Sequence, residues 1–413
     1  MKAVIIGASR EALHTIRKAR AHGIFVTALD GDPQAAGLAA ADRGVVIDIS
    51  REVETIEAVR KEGPDFVLTA PIGRYLTTVG AVNDALGLPG ITRRMAELCT
   101  DKFLFHEKLA REGLRNCRCY RVRQDGAVLF DGADRETVTG EDLCSERLQM
   151  SWPVILKPRF GSGSRGIRLA GCLTELKEEL ARIRGEEYVL EECVPGEEYG
   201  IDGAVIGGKF YMVLLRSKVN TPPPARQAVG YFACGRKDGF WQQVSGHLEK
   251  VIGCLGLQEC LFHADVIRAA DGPFVIELSA RPSGHNLHNL FTPLCTGVDP
   301  AEEYIRYRAG ESYSFVPGTV RPLMIHYFDG EGRVYRAPDA MQAEALLQGF
   351  CEKRGVQLAM IRWQCNLSCG ELLGPVTDGH SLMGRGYYIL EGGRRQDMLA
   401  FSEELMKGIL RHQ

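Results

Sequence analysis

The segment that most limits how this chain can fold lies between residues 261 and 281. Leu261-Phe262-His263-Ala264-Asp265-Val266-Ile267-Arg268 is joined by Ala270-Asp271-Gly272 to Phe274-Val275-Ile276-Glu277-Leu278-Ser279-Ala280-Arg281. Two β-rich runs around a short turn ending in glycine predict an antiparallel hairpin with a three-residue loop, its glycine in the left-handed position. In that register Asp265 lies opposite Glu277 and His263 opposite Ser279. Because strand side chains alternate, these four residues and Arg281 share one face. Like charges opposed on a ladder destabilise it, so the two acids call for a counter-charge, and magnesium prefers carboxylate oxygens. A slip of one residue would separate the acids and leave a solvent-facing hairpin with scattered charge. Pro282 and Gly284 end the strand where the Arg281 guanidinium can reach a phosphate or carboxylate.

Upstream, Pro153-Val154-Ile155-Leu156-Lys157-Pro158 reads as a buried strand ending in a lysine, followed by Phe160-Gly161-Ser162-Gly163-Ser164-Arg165-Gly166. A loop of small residues can aim backbone N–H groups at phosphate oxygens beside a fixed ammonium. It is not the Walker pattern, and by itself such a loop is equally an ordinary hairpin. Next, Tyr188-Val189-Leu190 runs into Glu191-Glu192-Cys193-Val194-Pro195-Gly196, and a strand restarts at Gly200-Ile201-Asp202. That shape fits a hinge whose backbone reads a base while Glu198 binds a sugar, or a plain strand connection.

The chain opens with strand, turn, helix, strand: residues 3–6, Gly7-Ala8-Ser9, 10–22 and 25–29, with further strands at 45–47 and 66–68 and a helix at 52–62. This predicts a parallel βαβ lobe. Asp30 stands where a dinucleotide site places its ribose acid, but Ser9 and Ala12 occupy the second and third glycine positions of that fingerprint, so a nucleotide-free lobe is the reading. A helix over 101–112, capped by Thr100 and stopped by Gly113, opens a mixed region. Beyond 311 come strands at 323–328, 357–363 and 387–390 and a final helix at 395–410. The predicted fold class is α/β and α+β, divided as 1–95, 96–310 and 311–413.

At 413 residues the chain is long enough for roughly two or three domains of about 150 residues. Its net charge is -3, without a basic block, which favours neither nucleic acid nor a membrane surface as partner. Thirteen cysteines lack paired zinc spacing and suit reduced thiols in the cytosol. The apolar start is too short for a signal peptide and no run of about 18 apolar residues occurs, so a cytoplasmic location is expected.

In this order the pieces resemble the ATP-grasp superfamily, especially the branch of biotin carboxylase, carbamoyl-phosphate synthase and the L-amino acid ligases. The resemblance implies a pre-ATP-grasp lobe, a two-part ATP-grasp domain and a closing subdomain. It places Lys102, in Thr100-Asp101-Lys102-Phe103, and Lys157 as the two phosphate-binding lysines. The flap falls on 161–166, with Ser162, Gly163, Ser164 and Gly166. Glu191, Glu192, Cys193 and Val194 match the adenine hinge, and Glu198 the ribose acid. Asp265, Glu277 and Ser279 fall on the metal ligands, and Arg281 on the family's arginine. Two departures stand out: Asp265 is shorter than the usual glutamate, and Ser279 replaces asparagine. Glu277 to Gly284, and Gly386 to Gly392 before the last helix, look most like the amino acid ligases.

The implied activity is ATP-dependent joining of a carboxylate, activated as an acyl phosphate, to an amine, with amino acids as expected substrates. Mg2+ is the expected ion and Mn2+ its alternative. Lys157 and Arg281 are the catalytic candidates. Arg216, Lys218 and Arg226, around the run Pro222 to Pro224, read either as a loop closing on an anionic substrate or as a rigid surface turn. Ser283, Gly284, His285 and Asn286 are further substrate candidates. A homodimer is left open. The competing readings are a carboxylase or purine-pathway enzyme of the same fold, and a non-catalytic ATP-binding regulator; Ala340-Met341-Gln342 offers no carrier lysine.

Overall fold

The computed structural model describes residues 1–115, 117–123, 128–130, 137–138, 148–161, 163, 165–223 and 226–411. Four strands open it: β1 (Lys2–Ile6), β2 (Phe25–Asp30), β3 (Arg43–Val46) and β4 (Phe66–Leu68), in the order β3-β2-β1-β4 and all parallel. Ala3 to Ile6 are all buried, as expected of a strand covered on both faces. The turn after β1 is packed shut. Gly7 has φ +89, and a Cβ there would lie 2.4 Å from Ile72 Cγ2, while Gly37 sits against Ala8. Asp30 accepts hydrogen bonds from the Ala8 and Asp32 N–H groups at 2.6 and 2.9 Å, so its carboxylate is used by the turn itself.

The expected helix 101–112 is Lys102–Arg111, and its cap is Asp101, not Thr100. Thr100 ends a preceding helix, Arg93–Thr100, where its hydroxyl bonds back to the Ala96 carbonyl, and the Asp101 carboxylate takes the Phe103 and Leu104 N–H groups. An aspartate accepts at an N-cap as well as a threonine does, so adjacent cap residues left the sequence ambiguous by one position.

A second sheet joins β5 (Cys119–Val122), β6 (Val128–Phe130), β7 (Thr137–Val138), β8 (Val154–Pro158), β9 (Arg168–Ala170) and β10 (Tyr188–Glu192) in the order β7-β6-β5-β10-β8-β9. It has a core of its own, with Tyr120, Leu156, Leu176 and Leu190 buried together. Lys157 therefore rides on a separately packed lobe.

The largest sheet contains β11 (Glu197–Ile206), β12 (Lys209–Asn220), β13 (Ala228–Cys234), β14 (Cys260–Ala269), β15 (Gly272–Ser279) and β16 (Leu323–Tyr327). A small sheet is made of β17 (Gly332–Val334), β19 (Leu372–Leu373) and β21 (Leu410–Arg411), whereas β18 (Ala359–Cys365) and β20 (Gly386–Glu391) extend the large one. Its order is β15-β14-β11-β12-β13-β16-β20-β18, so strands from the last hundred residues continue the central sheet. One face carries Tyr199, Ile201, Leu215, Ala264, Val266 and Leu278 into a core shared with helix Gly239–Leu255. That helix buries Phe240, Val244, Leu248, Val251 and Leu255, a stripe at helical spacing. Each buried side chain contributes about 1.5–3 kcal/mol, and Leu248→Ala would cost about 2–5 kcal/mol.

The predicted register of β14 and β15 is correct, but its cause is different. Asp265 pairs with Glu277 and His263 with Ser279, yet Ala269 pairs with Gly272 across a two-residue turn. A bulge between Asp265 and Val266 supplies the missing offset, since Val266 faces Val275. An extra residue in one strand shifts register by one, which is what a longer loop would have done. Among the described residues no helix is long and apolar enough to cross a membrane, and no disulfide forms.

Candidate functional site

Two lysines from separate elements are tied into one frame. Lys102 opens its helix, and Lys157 lies near the end of β8. Between them, Arg159 grips the capping Asp101 with Nε at 2.9 Å and Nη2 at 2.6 Å, joining the helix start to the strand end. The Lys102 ammonium donates to the Gly161 carbonyl at 2.7 Å, holding the base of the glycine loop. Gly161, Gly163 and Gly166 have φ of +120, +72 and +72, a region that side chains disfavour. Ser162 and Ser164 lie outside the described residues.

Lys157 donates to Glu191 Oε2 at 2.9 Å, and Glu191 is 1% exposed. Burial alone would push the Glu191 carboxyl up, but Lys157, with His106 and Arg115 behind it, holds it well below the usual range. His106 goes the other way: burial, reinforced by Arg115, lowers its pKa to about 4. The hinge itself is anchored. The Cys193 N–H donates to the Pro153 carbonyl at 3.0 Å, and the Glu192 carboxylate accepts from the Arg118 and Ser151 N–H groups. Val194 is half-buried.

Facing this lobe is the second face of the large sheet. Cross-strand pairing sets Gly200 beside both Arg216 and Asp265, and Asp202 beside His263, so these side chains stand on the side opposite the apolar core. Arg216 is fully buried and forked onto both Asp202 oxygens, with Thr292 hydrogen-bonded to the same carboxylate. Lys218 reaches Asp265 Oδ2 at 2.6 Å, and His263 Nε2 stands 3.3 Å from Oδ1. Burial would raise the Asp265 pKa; Lys218 and His263 outweigh it and hold it far down. Arg216 and Lys218 thus sit in mid-strand on β12, not in a loop, each already paired with an acid. Arg226 pairs with Glu198, which also accepts from Asn220 Nδ2 at 2.8 Å, so the expected ribose acid is held by protein groups. Pro224, at the end of the proline run, lies outside the described residues.

Glu277 differs from all of these. It has no hydrogen-bond or ion-pair partner among the described residues, while Lys102, Lys157 and Arg281 all lie within electrostatic reach of it. Arg281 is half-buried, and the desolvation of its guanidinium lowers its pKa against the pull of Glu277, Asp265 and Glu11; one guanidinium nitrogen donates to the Pro282 carbonyl at 2.8 Å and Nε has no partner among the described residues. Ser279 shares the face of Glu277 and adds a neutral oxygen. A partnerless carboxylate beside a hydroxyl fits a hard cation, but no group of three or more His, Cys, Asp or Glu able to hold a metal occurs among the described residues. Such an ion would need phosphate oxygens as further ligands, as magnesium commonly does.

The 283–286 segment is strained and braced. His285 and Asn286 have φ of +60 and +58. Glu11, from the first lobe, accepts from the His285 N–H at 2.9 Å, and the Tyr327 hydroxyl donates to the His285 carbonyl. Ser283 is buried and Gly284 packs near Pro71. Left-handed non-glycine residues cost about 1–3 kcal/mol and concentrate at functional sites. Glu11, Asp202, His106, Arg115 and Arg159 were not singled out in the sequence. Only His106 left a signal, standing four residues after Lys102 on the same helix face.

A lysine-bearing lobe with a glycine loop, set over the polar face of an antiparallel sheet, is the ATP-grasp arrangement, and the chain has the ATP-grasp fold. It resembles the L-amino acid ligases. The L-amino acid ligase from Bacillus licheniformis aligns with 100% of this chain and 99% of its own, at 19% identity and a TM-score of 0.73. N5-carboxyaminoimidazole ribonucleotide synthetase from Thermotoga maritima aligns with 99% and 98%, at 18% identity and 0.67. By sequence, an uncharacterised protein of Sinorhizobium fredii is 25% identical over 85% of this chain and 76% of its own length. Dapdiamide A synthase of Enterobacter agglomerans is 24% identical over 60% of this chain, and the match spans 57% of that enzyme. No protein-family model matches the sequence.

Proposed function

We propose that the protein is an ATP-dependent carboxylate–amine ligase acting on amino acids. The observation that carries this reading is that Lys102, Lys157 and Arg281 all lie within electrostatic reach of Glu277, which has no hydrogen-bond or ion-pair partner among the described residues. A carboxylate oxygen of the first substrate attacks the γ-phosphorus of ATP; the bond to the bridging oxygen breaks and ADP leaves. The amine nitrogen of the second substrate then attacks the acyl carbon, phosphate leaves, and the amide forms with loss of a proton. Phosphoryl transfer of this kind needs positioning and charge neutralisation more than covalent help.

Lys102 and Lys157 hold phosphate oxygens, and Lys102 keeps the glycine loop folded over them through Gly161. Arg281 neutralises charge on the transferring group, and the braced segment from Ser283 to Asn286 shapes the substrate side. Magnesium, or manganese in its place, would be held by Glu277 and Ser279 beside Asp265 and would draw charge from the β- and γ-phosphates. The backbone from Glu191 to Val194 takes the adenine, with Glu198 near the ribose once it releases Arg226.

The similarity to an amino acid ligase and to dapdiamide A synthase favours amino acid substrates over purine intermediates. The test is ADP release across a panel of amino acids, singly and in pairs, with products identified by mass. Turnover that requires two amino acids supports the ligase. Turnover with bicarbonate selects a carboxylase, and nucleotide binding without turnover on any substrate selects the regulator.

A further inference from the structure

Five carboxylates line the polar face and its hinge: Glu191, Glu198, Asp202, Asp265 and Glu277. Four are matched one to one by cations, Lys157, Arg226, Arg216 and Lys218. Only Glu277 has no cation within ion-pair distance among the described residues. The Lys218 pairing depends on a feature of β11. Asp265 is on β14 and Lys218 on β12, with β11 between them, and the β11 residue beside Asp265 is Gly200. A Cβ at Gly200 would lie 3.3 Å from Arg216 Nη2 and 3.6 Å from Asp265 Oδ1. The glycine clears a path along which basic side chains of β12 reach an acid two strands away.

Asp265 therefore stands among basic neighbours: the Lys218 ammonium at 2.6 Å, the His263 ring at 3.3 Å and the Arg216 guanidinium alongside. A dication brought to that carboxylate would meet the Lys218 and Arg216 cations at short range, where Coulomb repulsion in a buried site is strong. The residue types agree. Aspartate is one methylene shorter than glutamate, and Ser279 offers one neutral oxygen on the Glu277 side.

We propose, resting on the ATP-dependent reading above, that this chain binds its nucleotide with one divalent cation, on Glu277 and Ser279, and that the Lys218 ammonium serves as the fixed positive charge on Asp265. A dication at Asp265 is replaced by a side chain that the protein always carries.

The test counts Mn2+ retained per AMP-PNP on the whole protein by equilibrium dialysis, with electron paramagnetic resonance to detect coupled ion pairs. One uncoupled Mn2+ per nucleotide is expected. Asp265→Asn should leave that count at one, and Glu277→Gln should bring it to zero at the same metal concentration. Lys218→Met, which frees Asp265, should raise it to two with a coupled spectrum. Two coupled Mn2+ in the unmodified protein would overturn the proposal, because Lys218 would then yield its place. A count of one in a folded Lys218→Met protein would also overturn it, by removing Lys218 as the cause. Failure to retain AMP-PNP at all would instead sink the ATP-dependent reading, so the two failures are distinct.

Discussion

Two glycine turns follow a buried strand in this molecule, and they do opposite things. Gly7-Ala8-Ser9 after β1 is filled by its own neighbours: Ile72 fills the space at Gly7, Gly37 packs on Ala8, and Asp30 caps the Ala8 N–H. Beyond β8, among the described residues Gly161 has nothing within 4 Å of where a Cβ would be, and Gly163 meets only the Gly379 backbone at 3.7 Å. A lysine holds the base of the second turn, while none of these contacts of the first turn comes from a cation. Locally the two sequences are alike. What stands in front of the turn decides whether it binds or packs.

The largest effect expected lies under the open turn. Lys157→Ala should reduce ADP formation roughly 10²- to 10³-fold, the loss typical of one preorganised charged donor. It should also lower the melting temperature, since it strands Glu191 in a buried site at a cost of about 3–5 kcal/mol. Arg281→Ala should match the rate loss with a smaller thermal effect, because among the described residues Arg281 makes no ion pair that would be broken, only a hydrogen bond to the Pro282 carbonyl. Near-normal rates in either variant would dismiss the assignment.

A pH effect sharpens the same side. His106 titrates near 4 when folded and near 6.5 when unfolded. The unfolded chain therefore binds the extra proton first, and stability is complete above about pH 6.5 and declines as pH falls toward 4, by up to about 3 kcal/mol. Thermal melts between pH 7 and 5 should show a shallower loss in His106→Asn than in the unmodified protein; parallel curves would show that His106 is not the group responsible.

The two turns can then be exchanged against each other. Gly7→Ala should cost about 1–3 kcal/mol, from its left-handed backbone and the stiff Ile72, with the KM for ATP unchanged. Gly163→Ala should do the reverse, raising that KM a few-fold while costing about 1 kcal/mol. A Gly7 variant that weakens ATP binding would break the comparison. Smallest of all, Asp30→Asn should remove about 1 kcal/mol through the Ala8 hydrogen bond and leave kinetics alone.

Much of the site was legible because it follows from alternation along single strands. The facing of Asp265 and Glu277, the lysine near the end of β8 and the parallel order of the first lobe all come from local periodicity. The errors share a different origin. The hairpin reached its register through a bulge that no composition signals, and the choice between Thr100 and Asp101 as cap depended on where the previous helix stopped. Arg216 and Lys218 looked like loop residues beside the proline run, because nothing in their own strand marks the acids that neutralise them from β11 and β14.

The residue pattern by itself determined the order of elements, the acids on the hairpin and the class of chemistry those side chains can support. Only the tertiary structure decided which charges remain available. Pairing between Lys218 and Asp265 spans three strands and requires a missing side chain at Gly200, and closure of the first turn requires Ile72 and Gly37 to arrive from distant positions. Charge neutralisation and close packing depend on distances between residues far apart in the chain, and periodicity along the chain carries no information about those distances.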